Sequence, residues 1–348
     1  MTHPIGSPYV RDQISQRAVT LNEKRLQPDG EYVLYWMQST QRFEDNWALR
    51  YATLEADRVG KPLLIHHGID PTYPHASDRF HTFMLQGAQE LAARAARLGL
   101  TYRFALRHGR DDDRRVVDRL ASRAALVVTD LYPTAGVAAR SHRLAERINC
   151  RLVAVDSVGV VAAAAFHREE YAARTIRPKL ARLIDHALEP VDDRPPRRAL
   201  QPSVADSLGV PWLDVERCDI AAEVAACEID HDVGPVAVRG GLRAARARLA
   251  AFIAGGLHYY SERRRNPSDE GGSSRLSPYL HYGMISPQEV VRMVRAAASR
   301  EASDAFLNEM LTWRELSLNF CLRIPHHGSL VALPEWVQRS MHPMRSSG

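Results

Sequence analysis

Three groups of residues in this 348-residue chain have types and spacings suited to chemistry. The first is Gly271-Gly272-Ser273-Ser274-Arg275-Leu276-Ser277-Pro278, between two helical stretches. Its glycines permit close backbone approach, and hydroxyls with N–H groups at a helix start suit a phosphate. The same composition also describes a flexible capped loop. No Gly-Lys-Ser/Thr follows, so this is not a Walker motif. The second group is Glu309, Trp313 and Arg314. Glu309 and Trp313 are four apart and share a helical face with Leu316 and Phe320. A Trp beside a carboxylate can stack a base while the acid hydrogen-bonds its edge. A core Trp with a surface Glu has the same spacing. The third group, 171–179 (YAARTIRPK), holds three basic residues in nine positions and reads as a solvated helix end.

His66-His67 and His326-His327 are adjacent pairs, which cannot face the same way on a helix or strand, and read as structural or surface residues. Cys150, Cys218, Cys227 and Cys321 are scattered without CxxC spacing, so neither a disulfide framework nor a zinc site is expected.

The elements that must position these groups fall into two styles. Short apolar runs at 32–37 (YVLYWM), 62–66 (PLLIH), 102–106, 125–129 (ALVVT) and 152–155 alternate with helical patterns at 44–59, 80–98, 111–123 and 134–148. Such alternation predicts βαβ units, a parallel sheet and ligands beyond the carboxyl ends of its strands. Residues 192–203 (DDRPPRRALQPS), with three prolines, read as a linker. From Gly241 onward the pattern is helical. Leu242, Ala245, Leu249, Phe252, Ile253 and Leu257 share one face, Ser286-Pro287-Gln288-Glu289 is a capping box, and a last long helix spans about 303–322.

Composition is that of a globular chain: 45% hydrophobic, 25% charged, and no run near the ~20 apolar residues of a membrane helix. No secretory signal opens it, so a cytoplasmic protein is expected. The net charge of +5 is uneven. Residues 241–348 hold fourteen Arg, no Lys and nine acids, whereas the other 240 residues balance, so the expected anionic partner faces the helical part.

Tyr35-Trp36-Met37-Gln38 followed by Arg42-Phe43-Glu44-Asp45-Asn46-Trp47-Ala48-Leu49 resembles the opening strand and helix of class II cyclobutane pyrimidine dimer DNA photolyases, in the photolyase/cryptochrome family. Phe83-Met84-Leu85-Gln86-Gly87, Val127-Val128-Thr129-Asp130 and Ala173-Arg174-Thr175-Ile176-Arg177-Pro178-Lys179 are similar to the same group. So are Leu276-Ser277-Pro278-Tyr279-Leu280-His281-Tyr282-Gly283, Trp313-Arg314-Glu315-Leu316 and Asn319-Phe320-Cys321, all in family order from about Glu31 to Trp336.

The resemblance implies a Rossmann-like α/β N-terminal domain with a parallel sheet and an all-helical, incomplete C-terminal FAD-binding domain. The division is 1–30 as an extension, 31–190 as the antenna domain, 191–240 as linker and 241–348 as the partial FAD/DNA-binding domain. Tyr260, Ser273, Ser274, Leu276 and Ser277 match flavin-binding positions, with Arg314 at the same cofactor. Glu309 and Trp313 match residues that meet the flipped-out dimer. The implied activity is a DNA-repair lyase, a flavoprotein acting on DNA that contains pyrimidine dimers. Reduced FAD, excited by light, donates an electron, the cyclobutane bonds break and the electron returns, with no catalytic general base and no metal. An antenna chromophore, of an identity these residues leave open, and a monomer belong to this expectation. The family continues through further helices past Leu333-Pro334-Glu335-Trp336, so the sequence reads as a C-terminally truncated member with half of the flavin pocket absent. The alternatives are a cryptochrome-like blue-light receptor and an inactive photolyase remnant.

Overall fold

A computed structural model describes residues 2–134, 136–324 and 326–341, so the C-terminal tail at 342–348 lies outside the described residues. A helix α1 (Pro8–Arg17) and short strand β1 (Ala18–Thr20) precede β2 (Tyr32–Met37), α2 (Trp47–Val59), β3 (Leu63–Ile69), α3 (Asp78–Leu98) and β4 (Thr101–Leu106). Then come α4 (Val116–Ser122), β5 (Ala124–Asp130), α5 (Val137–Arg147), β6 (Arg151–Val155) and α6 (Ala173–Ala187). The six strands lie in the order β1-β6-β5-β2-β3-β4, parallel throughout except for β1, which runs antiparallel to β6. Near-continuous apolar strands such as β5, buried at every residue, suit a sheet covered on both faces. One face packs on α1, α2 and α3, and the other on α4 and α5.

The chain order reverses between β2 and β5, which makes the carboxyl ends of these strands the switch point of the sheet. That crevice holds a carboxylate of the chain itself. Asp130 Oδ2 accepts the N–H groups of Gln38, Ser39 and Thr40 at 2.9, 2.7 and 3.1 Å, and Oδ1 accepts the Tyr35 hydroxyl at 2.8 Å. Three aligned N–H donors make an anion nest, and Asp130 fills it. The loop so fixed delivers Arg42, Asp45 and Asn46 to the rest of the molecule.

Residues 191–240 form two short helices, α7 (Pro202–Asp206) and α8 (Ile220–Ala225), but do not hang as a free tether. Leu200, Leu208 and Val210 join one core face, Val215 and Val224 the other, and Leu213 N–H bonds the Phe104 carbonyl. The remaining helices are α9 (Leu242–Gly255), α10 (Tyr260–Arg263), α11 (Ser277–His281), α12 (Pro287–Ala297), α13 (Arg300–Leu307), α14 (Arg314–Arg323) and α15 (Glu335–Met341). Their core gathers Leu249, Phe252, Tyr260, Leu276, Val290 and Phe306. The capping box at α12 is half realised: Ser286 Oγ accepts from Gln288 and Glu289 N–H, while the Glu289 carboxylate turns to Arg246 at 2.5 Å. Gly283 has φ +64°, and a Cβ there would stand 2.3 Å from the Ser39 carbonyl oxygen, so only glycine lets the helices close on the β2 loop. Among the described residues no helix is long and apolar enough to cross a membrane.

The nest makes Asp130 a test of this architecture. Asp130→Ala leaves the N–H groups of Gln38, Ser39 and Thr40 without an acceptor and the Tyr35 hydroxyl with only Asn46 Oδ1 at 3.5 Å, and the expected loss is about 3 kcal/mol or more. Asp130→Asn keeps one acceptor oxygen and costs less. Urea unfolding measures both; losses under about 1 kcal/mol for the Ala variant would refute the role.

Candidate functional site

The helix expected over 303–322 is not one α-helix. Between α13 and α14, residues Asn308–Trp313 form a π-helical turn, a register shift that recurs at functional sites. Glu309 and Trp313 both lie in this turn. Trp313 is 45% exposed, against an expectation for a core Trp of near-complete burial. Glu309 Oε1 receives Arg264 Nη1 at 2.8 Å and Asn308 Nδ2 at 3.5 Å, leaving Oε2 without a protein partner among the described residues. Arg264 in turn lies over the Tyr260 ring at 5.8 Å. Tyr260 packs edge-on to Phe306 and Phe252, with ring centroids 5.4 and 5.7 Å away. The structure thus links Tyr260 to Glu309, which shares its turn with Trp313, through Arg264, a residue that sequence reasoning passed over in the run Arg263-Arg264-Arg265.

The Ser273–Ser277 stretch is held from α9: Arg248 Nε donates to the Ser274 carbonyl at 2.9 Å. That carbonyl, and the Ser273 carbonyl at 3.5 Å from Nη2, are therefore turned toward Arg248. The N–H groups of Ser273, Ser274 and Arg275 bond no protein acceptor among the described residues, and the Ser273 and Ser277 hydroxyls are likewise open. Arg275 has φ +53° and Leu276 is right-handed helical, an alternation that turns successive N–H groups to one side. Leu276 itself is buried in the helical core. Open N–H groups, free hydroxyls and a constrained loop make a donor set that fits a diphosphate such as that of FAD.

Arg314 is placed elsewhere. Its Nη1 donates to the Val158 carbonyl at 2.7 Å and lies 3.8 Å from Glu315 Oε1. Glu315, fully buried, accepts the Val160 N–H at 2.8 Å. Both residues grip the loop after β6, which Arg17 holds from its other side through the carbonyls of Asp156, Gly159 and Val160. A Cβ on Gly159 would meet the Val161 carbonyl oxygen at 2.5 Å and Leu318 at 3.3 Å, so this glycine admits α14 to the loop. The pairing of an Arg-Glu dipeptide with a distant loop leaves no local sequence signal, which is why Glu315 was legible only as part of a motif. His66 and His67 are buried on opposite sides of β3, His66 beside Trp212 and His67 on the Tyr102 hydroxyl at 2.7 Å. Burial lowers both, to about 4 and about 3, so they are neutral core residues.

The sheet followed by helices is the fold of photolyases and cryptochromes. A cryptochrome from Synechocystis superposes with TM-score 0.59 at 16% identity, covering 84% of this chain and 62% of its own. A class III photolyase from Agrobacterium tumefaciens gives 0.55 at 19%, covering 83% and 58%. The DNA photolyase family model matches residues 33–197. Among curated proteins, the deoxyribodipyrimidine photo-lyase of Methanothermobacter thermautotrophicus is 31% identical over 329 residues, 94% of this chain and 69% of that protein. The Arabidopsis thaliana protein of the same name is 32% identical over 323 residues, 89% of this chain and 62% of that one. The chain belongs to the photolyase/cryptochrome family, and it spans roughly two thirds of these relatives' length.

Glu315 generates a pH prediction. Burial, only partly offset by Arg314, raises its carboxyl from 4.5 to about 7. Between these values the folded chain keeps a proton that the unfolded chain has released, so stability falls as pH rises from about 4.5 to about 7. The fall from this group is on the order of 3 kcal/mol. Glu315→Gln, which keeps an acceptor for Val160, removes it. Urea unfolding at pH 5 and pH 8 should show the variant gaining on the wild type at the higher pH; an equal pH dependence in both proteins contradicts the assignment.

Proposed function

We propose that this chain acts in light-driven repair of cyclobutane pyrimidine dimers in DNA, as a class II-type deoxyribodipyrimidine photo-lyase. The observation that carries the reading is the π-helical turn holding Glu309 and the half-exposed Trp313, with Glu309 tied to the Arg264 that lies over Tyr260. The relatives' shared name and the ordered motifs from Tyr35 to Cys321 support it. The division of labour is part of the proposal: an antenna domain at 31–190, a connecting segment at 191–240 and a FAD- and DNA-binding region from 241.

When bound, reduced FAD supplies the light-driven one-electron chemistry that splits the dimer. The open N–H groups of Ser273, Ser274 and Arg275 and the hydroxyls of Ser273 and Ser277 would hold its diphosphate, with Ser274 Oγ fixed by the Leu276 N–H and with Leu276 and Tyr260 forming the apolar and aromatic support. Trp313 offers an exposed indole face on which an extruded dimer can stack. Glu309, fixed through Oε1 by Arg264 and Asn308, keeps Oε2 for a pyrimidine N–H. Arg314 and Glu315 set the pose of the turn by anchoring its C-terminal end to the loop after β6.

The chain's own residues thus supply binding, orientation and exclusion of water rather than proton transfer. Absorption spectra on titration with FAD test cofactor binding, and blue light on an oligonucleotide with one thymine dimer tests repair. Trp313→Ala should keep the flavin spectrum but lose roughly 10- to 100-fold in preference for damaged over undamaged DNA, the range expected for one stacked base. A wild-type chain that takes up no FAD, or a W313A variant with unchanged preference, sinks the reading.

A further inference from the structure

The basic and aromatic segment 171–179 remains outside the site described so far. Tyr171, just before α6, is 68% exposed. Arg174 lies over its ring at 5.5 Å, and its Nη2 donates to the phenol oxygen at 3.4 Å. Arg177 follows three residues on, so Arg174 and Arg177 share one exposed stripe of α6, which Tyr171 extends from just before the helix. The opposite stripe, Ile176, Leu180 and Ile184, is buried with Val160, Val161 and Val291. Lys179 is used up by an ion pair with the buried Glu170. Arg168, Arg174, Arg177 and Arg182, by contrast, have no carboxylate partner among the described residues. Two acids fall among them in sequence, the exposed Glu169 and the buried Glu170 that Lys179 holds, and Asp185 at the far end is engaged by Arg295.

This stripe is joined to the Trp313 turn through Asn308, and the loop before it to α14. Arg177 donates through Nε and Nη2 to Asn308 Oδ1 at 3.3 and 3.0 Å, and Asn308 in turn contacts Glu309. At the other end, Asn319 of α14 accepts the Glu170 N–H at 2.8 Å and donates to the Arg168 carbonyl at 3.3 Å. Arg323 donates to the Phe166 carbonyl at 2.6 Å. The loop that presents Tyr171 is therefore fastened to the helix that follows Trp313, and the two form one continuous surface.

We infer that Tyr171, Arg174 and Arg177 form a track for the phosphodiester backbone of the DNA strand that flanks the extruded nucleotides. The inference rests on the reading of this chain as a binder of damaged DNA. Guanidinium groups present planar forks of donors that match phosphate oxygens, and with no internal carboxylate Arg174 keeps Nε and Nη1 open and Arg177 keeps Nη1 open. Arg174 is held on the Tyr171 ring, so it loses less freedom on binding than a mobile surface Arg. The track also sits outside residues 241–348, which carry the whole net charge. Acids elsewhere in 1–240 cancel these arginines in sequence without pairing with them in space.

The test is salt dependence, measured with the full chain and a fluorescent duplex with or without one central thymine dimer. Each phosphate contact contributes about 0.9 to the slope of log K against log salt. Arg174→Gln should lower the slope by about that amount, and Arg174→Gln with Arg177→Gln by about twice as much. Arg174→Gln should weaken binding equally to damaged and undamaged duplex, because phosphate contacts carry no sequence or lesion information. Arg174→Lys should restore the slope. If the wild type prefers damaged DNA but both Gln variants keep its slope and affinity, the track is refuted while the proposed function stands. If the wild type binds neither duplex, both fall together.

Discussion

Buried hydrogen bonds across the seam between the sheet and the helices that follow Gly241 set the geometry on which the rest of the molecule depends. Arg42 Nη1 reaches the Gly283 carbonyl at 3.0 Å, and the Trp47 indole N–H reaches Gln288 Oε1 at 3.0 Å. Gln288 then donates to the Ala187 carbonyl at 2.7 Å, and Arg292 pairs with Asp45. Trp47 itself lies between Arg17 and Arg50, at 4.9 and 4.8 Å. Groups of this kind are costly when left unpaired in a dry interior, so the two parts can dock in one register and few others. An apolar seam would tolerate sliding; this one does not.

That register reaches the surface through α14. Glu315 and Arg314 are fixed to the loop after β6, Asn319 to the loop before α6, and the π-helical turn is the segment left between these anchors and α13. Trp313 is thereby kept half in solvent, and Glu309 is tied to Arg264 rather than to water alone. The neighbouring arginine stripe of α6 belongs to the sheet side of the seam, whereas Trp313 belongs to the helical side. One docking interaction thus aligns stripe and turn.

Much of this fold is legible in the sequence, for identifiable reasons. Strand β2 is found at its observed limits because YVLYWM is apolar on both faces and bounded by polar residues. The helix read over 111–123 shrinks to α4 because Asp112 and Asp113 spend their carboxylates on loop N–H groups, a local bond that competes with helix. Helix α2 starts at Trp47 rather than Glu44, where Asn46 caps it and Asp45 takes φ +46°. Helix α1 and strand β1 escape notice, since α1 buries polar Gln13 and Arg17 and so lacks an apolar stripe. At the site, Glu309, Trp313 and the Ser273 loop announce themselves by residue type. Arg264, Asn308 and Glu315 do not, because their roles come from partners that only the folded chain brings near. The position of Arg314 on the Val158 carbonyl is of the same kind.

Sheet and site thus form one cooperative unit joined by the buried seam. Native-state hydrogen exchange reads it directly. The amides of Val160 and Glu170, which donate to Glu315 and Asn319, should exchange together with those of α14, at an opening free energy matching the core amides of β5 and β6. Exchange of α14 and these two amides well ahead of the sheet would show that the helices open independently, and would contradict the account.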